Sequence, residues 1–420
     1  MVKQGYKKTE IGVIPEDWEV KKINDISKPV RGGSPRPAGS PLFFNGNYIP
    51  WLTVASLTNI SNSKIYVDNT ESMLTELGSN YSRRLEKDTL IISNSGATLG
   101  VAKLLGIECC ANDGIAALLD LKADNKFLVY YINSLTEYLR NNVATGNGQP
   151  NLNTDLIGNL SIPLPPLAEQ EAIATALSDA DAWIEHLEQL IAKKRLFKQG
   201  AMQELLTPPT EELVLSGVEA WEVKKLGEVG KTYGGLSGKT KVDFGKGNAH
   251  YIPFMNVMKN VVIDNSFFEK VNLKQGEIQN KVLKNDLLFN GSSETPEELG
   301  ISSVILEDIN NLYLNSFCFG FRLFDNNVNP LFLSYLFRSP YGRKIIFYLA
   351  QGATRYNLSK ANFLELEISI PKSLSEQERI ATILSDMGAE LEALATQLGK
   401  ARQIKQGMMQ ELLTGRVRLV

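Results

Sequence analysis

The chain repeats itself. Trp18-Glu19-Val20-Lys21-Lys22 recurs as Trp221-Glu222-Val223-Lys224-Lys225, and Tyr48-Ile49-Pro50-Trp51 as Tyr251-Ile252-Pro253-Phe254. Ala144-x-Gly146-x4-Asn151-Leu152 returns as Ala350-x-Gly352-x4-Asn357-Leu358, and Ser161-Ile162-Pro163 as Ser369-Ile370-Pro371. Glu169-Gln170 matches Glu376-Gln377. Lys198-Gln199-Gly200-Ala201-Met202-Gln203-Glu204-Leu205-Leu206-Thr207 matches Lys405-Gln406-Gly407-Met408-Met409-Gln410-Glu411-Leu412-Leu413-Thr414. The landmarks keep their order at offsets running from 203 (Trp18 to Trp221) to 208 (Ser161 to Ser369). A period this long is no solenoid. It describes a duplicated domain with pseudo-twofold symmetry. Similarity is high in the last quarter of each copy and poor between Asn59 and Val143, so a shared frame carries two divergent heads.

Each copy has two parts. The first, 1–166 and 216–372, mixes short β-branched runs with Gly, Asn, Ser and Pro punctuation. Leu90-Ile91-Ile92 and Leu287-Leu288-Phe289 predict buried strands, and Phe127 to Arg140 and Pro330 to Ala350 predict helices. These are α/β or α+β heads, long enough to bury cores of their own. The second part is a long helix, 167–207 and 373–414, with a linker at 208–215 and a tail at 415–420. Pro165-Pro166 sets the start of the first helix; Ser375 with Glu378 fits a capping box for the second.

Both long helices step in fours and threes. The first seam runs Ile173, Leu177, Ala180, Ile184, Leu187, Ile191, Lys194, Lys198, Ala201, Leu205, eight of ten apolar. The second runs Ile380, Leu384, Met387, Leu391, Leu394, Leu398, Ala401, Lys405, Met408, Leu412, nine of ten apolar. Seams this long predict a coiled coil. Acids such as Asp179, Asp181, Glu185 and Glu188 crowd the N-terminal half of the first helix, and Lys193, Lys194, Arg195 and Lys198 the C-terminal half. The second is graded alike. Dipole matching explains the gradient, and so does antiparallel pairing, which sets acid against base; the duplication favours the antiparallel pair.

Composition narrows the function. The three cysteines, Cys109, Cys110 and Cys318, form no disulfide framework, which points to a reducing cytoplasm. With only His186 and His250 there is no zinc pattern and little material for histidine catalysis. No apolar run approaches the roughly 18 residues of a membrane span, and the start lacks a secretory h-region. A net charge of −3 gives no overall basic footprint, so any nucleic-acid contact has to come from local patches.

Such patches occupy equivalent places. Between Ile26 and Tyr48 stand Lys28, Arg31 and Arg36 with no acid, around Gly32-Gly33-Ser34. Between Val229 and Pro253 stand Lys231, Lys239, Lys241 and Lys246 against Asp243, around Gly234-Gly235-Leu236-Ser237-Gly238, with Tyr233 just before. Recurrence makes these paired candidates for phosphate contact rather than solvated loops. Asn94 and Ser95 follow the first buried strand, Asn290 and Ser292 the second; their side chains suit base edges, though their turn propensity is the simpler explanation. Gln149 and Arg355 stand at equivalent places before Asn151 and Asn357. Gly234 to Thr240 mimics a phosphate-binding loop, but Tyr233 stands where the pattern needs glycine. Asn329-Pro330-Leu331-Phe332 only partly follows an amino-methyltransferase motif and reads as a helix start. No cofactor or metal is expected.

The run 162–170, Ile-Pro-Leu-Pro-Pro-Leu-x-Glu-Gln, its partner Ile370 to Gln377, both Lys-Gln-Gly-x-Met-Gln-Glu-Leu-Leu-Thr blocks and both Trp-Glu-Val-Lys-Lys starts carry a resemblance. Over essentially its full length the chain resembles the DNA-specificity subunit of type I restriction–modification systems. The resemblance implies two target-recognition domains joined by an antiparallel coiled coil, each reading half of a bipartite site in double-stranded DNA. It also implies two methyltransferase and two restriction (motor-nuclease) subunits as partners, and no catalysis by the chain itself. A stand-alone nucleic-acid enzyme would need a catalytic constellation the sequence lacks. A bare coiled-coil scaffold would leave two heads without a task. Purified free of other subunits, the chain is expected to transfer no methyl group and to cut no DNA; measurable turnover in either assay contradicts this.

Overall fold

The computed structural model describes residues 4–61, 63–96, 98–144, 150–217, 219–324, 326–350, 352 and 355–419. The chain forms two compact units, Met1–Leu190 with Leu394–Val420, and Ile191–Ala393. Each takes half of each long helix, Leu167–Leu205 and Leu374–Leu412.

In the first unit the main strands are β1 (Lys28–Arg31), β2 (Phe44–Leu52), β3 (Leu90–Ser93), β4 (Ala102–Leu105), β5 (Cys109–Ala111) and β6 (Ile115–Leu119). One sheet runs β1-β6-β3-β4 and ends on Tyr66–Val67; a second places β2 and β5 side by side in parallel, flanked by Ser72–Leu74 and Arg83–Leu85. Strands β3, β4 and β5 are buried throughout, so β3 reads as the apolar run Leu90-Ile91-Ile92 rather than an alternating one, while β4 buries Lys103 with its amine on the Ser61 carbonyl at 3.1 Å. The second unit repeats the plan with β7 (Gly230–Gly234), β8 (Phe244–Ile252), β9 (Leu287–Asn290), β10 (Ser302–Val304), β11 (Leu312–Leu314) and β12 (Cys318–Leu323). Its sheets are β7-β12-β9-β10, and Glu269–Val271 with β8 and β11.

The repeated motifs now find each other. Glu19–Lys22 pairs with Ser161–Leu164, and Trp221–Lys225 with Glu367–Pro371, both antiparallel. Each two-stranded ribbon leads straight into a long helix. There the repeated glutamine acts as a clasp. Gln170 accepts from the Asp124 amide at 2.9 Å and donates to the Pro165 carbonyl at 2.8 Å. Gln377 accepts from the Asn329 amide at 2.8 Å and donates to the Pro371 carbonyl at 2.9 Å. Both side chains are buried. Asp124 and Asn329 in turn cap the helices Asn125–Ser134 and Pro330–Arg338. One amide thus ties the long helix to the head's own helix.

Three local expectations need correction. The second long helix is capped by Ser373, not Ser375: the Ser373 hydroxyl accepts from the Glu376 amide at 3.2 Å, while Ser375 already lies inside the helix. The helix expected from Pro330 to Ala350 is two, Pro330–Arg338 and Pro340–Phe347, because Pro340 has no amide to continue the first and Ser339 caps the second. The helix expected from Phe127 to Arg140 ends its regular part at Ser134 and passes through a short turn into a wide π-type turn, Leu139–Val143.

The seam residues are shared between head cores and helix pairs. Ile173, Leu177 and Leu412 join the first core; Ile380 and Leu384 join the second, with Leu205 packed on its margin. Ile184 and Leu187 are buried with Ala401 against Leu394 and Leu398. Ile191 is buried and Leu391 half-buried. The direction within the first unit is antiparallel, since Asp181 pairs with Lys405 at 2.5 Å and Glu188 with Arg402 at 2.7 Å. The second unit adds Lys194 with Glu390 at 2.7 Å. Acid does meet base, as the charge gradient suggested. In the first unit Asp181 also accepts from the Tyr130 hydroxyl at 2.8 Å. At the matching place in the second, Lys198 lies over the Tyr335 ring and Gly388 replaces the aspartate, a Cβ there falling 2.9 Å from the lysine amine; burial pushes the Lys198 ammonium below its ordinary value.

The C-terminal tail closes the first unit. Arg418 bridges Asp17 and the buried Glu169, both at 2.7 Å, and Trp18 donates to Glu169 at 2.9 Å.

Truncating the clasp is the direct test of its weight. Gln170→Ala leaves one amide and one carbonyl without a partner in a dry site, at about 1–3 kcal/mol each. The variant is expected to melt several degrees lower than wild type, with Gln377→Ala behaving alike; unchanged melting of both would remove the clasp from the stability argument.

Candidate nucleic-acid interface

In the first head, β1 runs out into Gly32-Gly33 and crosses the turn between β5 and β6. Gly32 donates to the Ile115 carbonyl at 2.8 Å and Gly33 to that of Ala111 at 2.9 Å. A Cβ on Gly32 would stand 2.0 Å from the Asn112 carbonyl oxygen. The glycine is there because two backbones touch.

The turn collects the neighbouring polar groups. Asp113 accepts from the Ser34 hydroxyl at 2.7 Å, and its carbonyl accepts from Arg31 Nε at 2.7 Å and Asn94 Nδ2 at 3.1 Å. Arg36 stands 3.6 Å from its carboxylate. Ser95 forms an isolated bridge to Asn151, and Leu152 donates to the Asn94 carbonyl at 2.8 Å. Arg31, Ser34, Arg36, Asn94 and Ser95 therefore converge on one turn. Arg31 and Arg36 stay exposed, while Asn94 is interior. Lys28 is exposed at the far end of β1, outside this group. Gln149 lies outside the described residues.

The second head reproduces the scaffold with different side chains. Gly235 donates to the Cys318 carbonyl at 3.3 Å and Leu236 to that of Leu314 at 2.8 Å. A Cβ on Gly235 would again stand 2.0 Å from a carbonyl oxygen, that of Asn315. Ser292–Ser293 pairs with Tyr356–Asn357, and Leu358 donates to the Gly291 carbonyl at 3.0 Å. Arg355 is exposed, its guanidinium 5.6 Å from the centre of the Phe317 ring. Lys231 and Lys241 are exposed.

Three candidates of this head are committed inward. The Tyr233 hydroxyl donates to Asp286 at 2.6 Å beneath the Arg322 guanidinium, and burial drives its ionisation well above the ordinary range. Asn290 is fully buried, holding the Glu298 carbonyl and the Ile301 amide. The Lys239 side chain is 4% exposed, bonded to the Asn272 carbonyl at 2.8 Å and to Glu277; its ammonium and the Lys274 amide hold the Glu277 carboxyl down at about 2. The imitation of a phosphate loop thus ends in an internal ion pair.

Residues that the sequence did not single out complete both sites. Asp113 sits in an Asn-Asp-Gly turn, and Asn315-Ser316-Phe317 stands 203 residues on, the same offset as Trp18 to Trp221. Lys360 is exposed, with its amine 3.4 Å from where a Cβ on Gly234 would lie. Among the described residues there is no cluster of His, Cys, Asp and Glu able to hold a metal ion, and no helix long and apolar enough to cross a membrane. His186 is exposed, stacked on Trp183; His250 is exposed on β8.

Comparison with known proteins meets this duplicated architecture directly. Residues 15–193 and 218–400 each match the type I restriction modification DNA specificity domain. The chain belongs to that family. The specificity subunit of the type I restriction enzyme MjaVIII of Methanocaldococcus jannaschii is 27% identical over 97% of this chain and 94% of its own. That of MjaIX from the same organism is 28% identical over 71% of this chain and 72% of its own. A solved type I restriction-modification S subunit from M. genitalium shares the fold, with a TM-score of 0.57 at 18% identity, covering 94% of this chain and 96% of that one. A chain from a structural study of type I complex assembly and conformational transition has a TM-score of 0.58 at 17% identity, covering 96% and 99%. The specificity fold is therefore present in mixed heads and paired long helices.

The Lys239–Glu277 pair carries a pH signature. The Glu277 carboxyl is held below its unfolded value, so its stabilising effect is complete above about pH 4.5 and disappears as pH falls towards 2. Wild type is expected to melt above Lys239→Met at neutral pH, with the gap narrowing through that window; a constant gap in pH-dependent melting would contradict the pairing.

Proposed function

We propose that this chain reads a bipartite target in double-stranded DNA, one half-site per head, and carries methyltransferase and restriction subunits, two of each, to that site in the cytoplasm. The heads at 1–166 and 216–372 act as target-recognition domains, and the helices at 167–207 and 373–414 as the connecting frame. What supports the reading is a single recurrence. Both heads present exposed cations around a glycine-tightened crossing at the same repeat position, Arg31 and Arg36 in one, Arg355 and Lys360 in the other, with Lys28 and Lys231 exposed at equivalent places further back on β1 and β7 and Lys241 exposed beyond the crossing. Cations supply the phosphate contacts that position a protein on a duplex; neighbouring polar side chains supply discrimination. The relatives' names, specificity subunits of type I restriction enzymes, agree with it.

The frame offers places for the partner subunits. Trp183, Leu196, Phe197 and Ile404 are exposed apolar side chains on the long helices. In the second unit Leu196, Phe197, Ala201 and Met387 line a hollow of about 350 Å³. Apolar groups held out on rigid helices suit protein docking.

A methylation map of chimaeras tests the modular reading. Exchanging residues 20–150 for another member's head is expected to change one half of the target and keep the other. Lengthening the helices should lengthen the spacer by one base pair per two or three residues, given about 1.5 Å of rise per residue and roughly 3.4 Å per base pair. A swap that alters both halves, or an insertion without effect on the spacer, overturns the corresponding part.

A further inference from the structure

Phe317 is 55% exposed in the turn between β11 and β12 of the second head. An exposed phenylalanine alone is unremarkable chemistry; the way this one is mounted is not that of a loose loop. Its amide donates to Asn315 Oδ1 at 2.9 Å, and its carbonyl accepts from the Gly291 amide at 2.8 Å. Asn315 is itself buried and anchored through Nδ2 to the Ile252 carbonyl at 3.1 Å. The backbone is fixed on both sides, and the Arg355 guanidinium lies over the ring at 5.6 Å. Next to it in the chain fold are Gly291, which precedes Ser292, and the Gly235 crossing on Asn315, with Lys360 at Gly234.

At the same repeat position the first head has Gly114, where a Cβ would stand 2.6 Å from Val54 Cγ2. It presents the Asp113 carboxylate, held by Ser34, from the same turn. The equivalent turns therefore carry an anion in one head and, one position further on, an apolar ring in the other.

We infer that Phe317 is a specificity-determining contact of the second head, its ring set against the 5-methyl group of a thymine in the second half-site. The inference rests on the DNA-reading function proposed above. The ring has no hydrogen-bonding atom, and on the major-groove edges of the bases the apolar group on offer is the thymine methyl. A wedge between stacked base pairs needs both ring faces clear, whereas Arg355 covers one. The cations alongside meet the backbone and hold the ring at the base edge.

Replacing thymine by uracil removes that methyl and nothing else. Once the target is mapped, the complex recovered with tagged full-length chain is measured against duplexes carrying uracil at each thymine of the second half-site in turn. Wild type is expected to lose roughly fourfold in affinity at one position, the factor for burying one methyl-sized group. Phe317→Ala should bind thymine and uracil duplexes alike, with its melting temperature unchanged. Phe317→Leu, which keeps an apolar side chain, should retain part of the discrimination. Wild type that ignores every such change, or Phe317→Ala that still discriminates, overturns the inference while DNA reading stands. A wild-type complex with no sequence-specific binding overturns DNA reading and this contact together.

Discussion

Each unit depends on one buried amide. Gln170 and Gln377 hold the first turn of a long helix against the cap of the head's own helix, using the donor and the acceptor of a single side chain. Hydrogen bonds in a dry site are costly to leave unmade, so the amide fixes an angle as well as a contact. The two-stranded ribbon then has a defined exit, and the seam residues of the helix arrive at the head core in register. In the first unit Glu169 adds to the lock by taking Trp18 and Arg418. In the first copy the adjacent Glu-Gln pair is thus two devices, Glu169 joining Trp18 to the tail and Gln170 facing the head's own helix, whereas in the second copy Glu376 pairs with Arg379 within the helix.

Much of this was legible in the chain. The duplication, the buried strands Leu90 to Ile92 and Leu287 to Phe289, and the two helical seams follow from periodicity and repeated words. The charge gradient fitted dipole matching as well as antiparallel pairing, so it was the duplication that favoured the antiparallel sense, and Asp181 with Lys405 carries it out. The helix break at Pro340 was present too, and an apolar pattern continuing past it concealed it. The cap at Ser373 was missed by two residues because Ser375 offered the same chemistry.

The surface clusters were legible only in part, for a physical reason. Local composition gives the charge of a loop and says nothing of what lies across from it. The stretch from Ile26 to Tyr48 has no acid of its own, yet Ser34 meets Asp113 across 79 positions. Lys239 meets Glu277 across 38, which turns an apparent phosphate ligand into an internal strut. Tyr233 is likewise absorbed by Asp286 and Arg322. Side chains that converge through the sheet order, Phe317 with Arg355 among them, become visible only when the strands are placed.

The crossings at Gly32 and Gly235 carry a consequence for how such a protein can change under selection. The bonds that shape each turn run between main-chain atoms, Gly32 to Ile115 and Gly33 to Ala111 in one head, Gly235 to Cys318 and Leu236 to Leu314 in the other, together with the Asn112 and Asn315 side chains. The carbonyls that forbid a Cβ at the two glycines are main-chain as well. Side chains at 113, 316 and 317 can be exchanged without breaking any of these bonds. The fold therefore separates the residues that hold a turn from those that give it chemical character. Novel recognition can arise by single substitutions on a backbone that does not have to be reinvented.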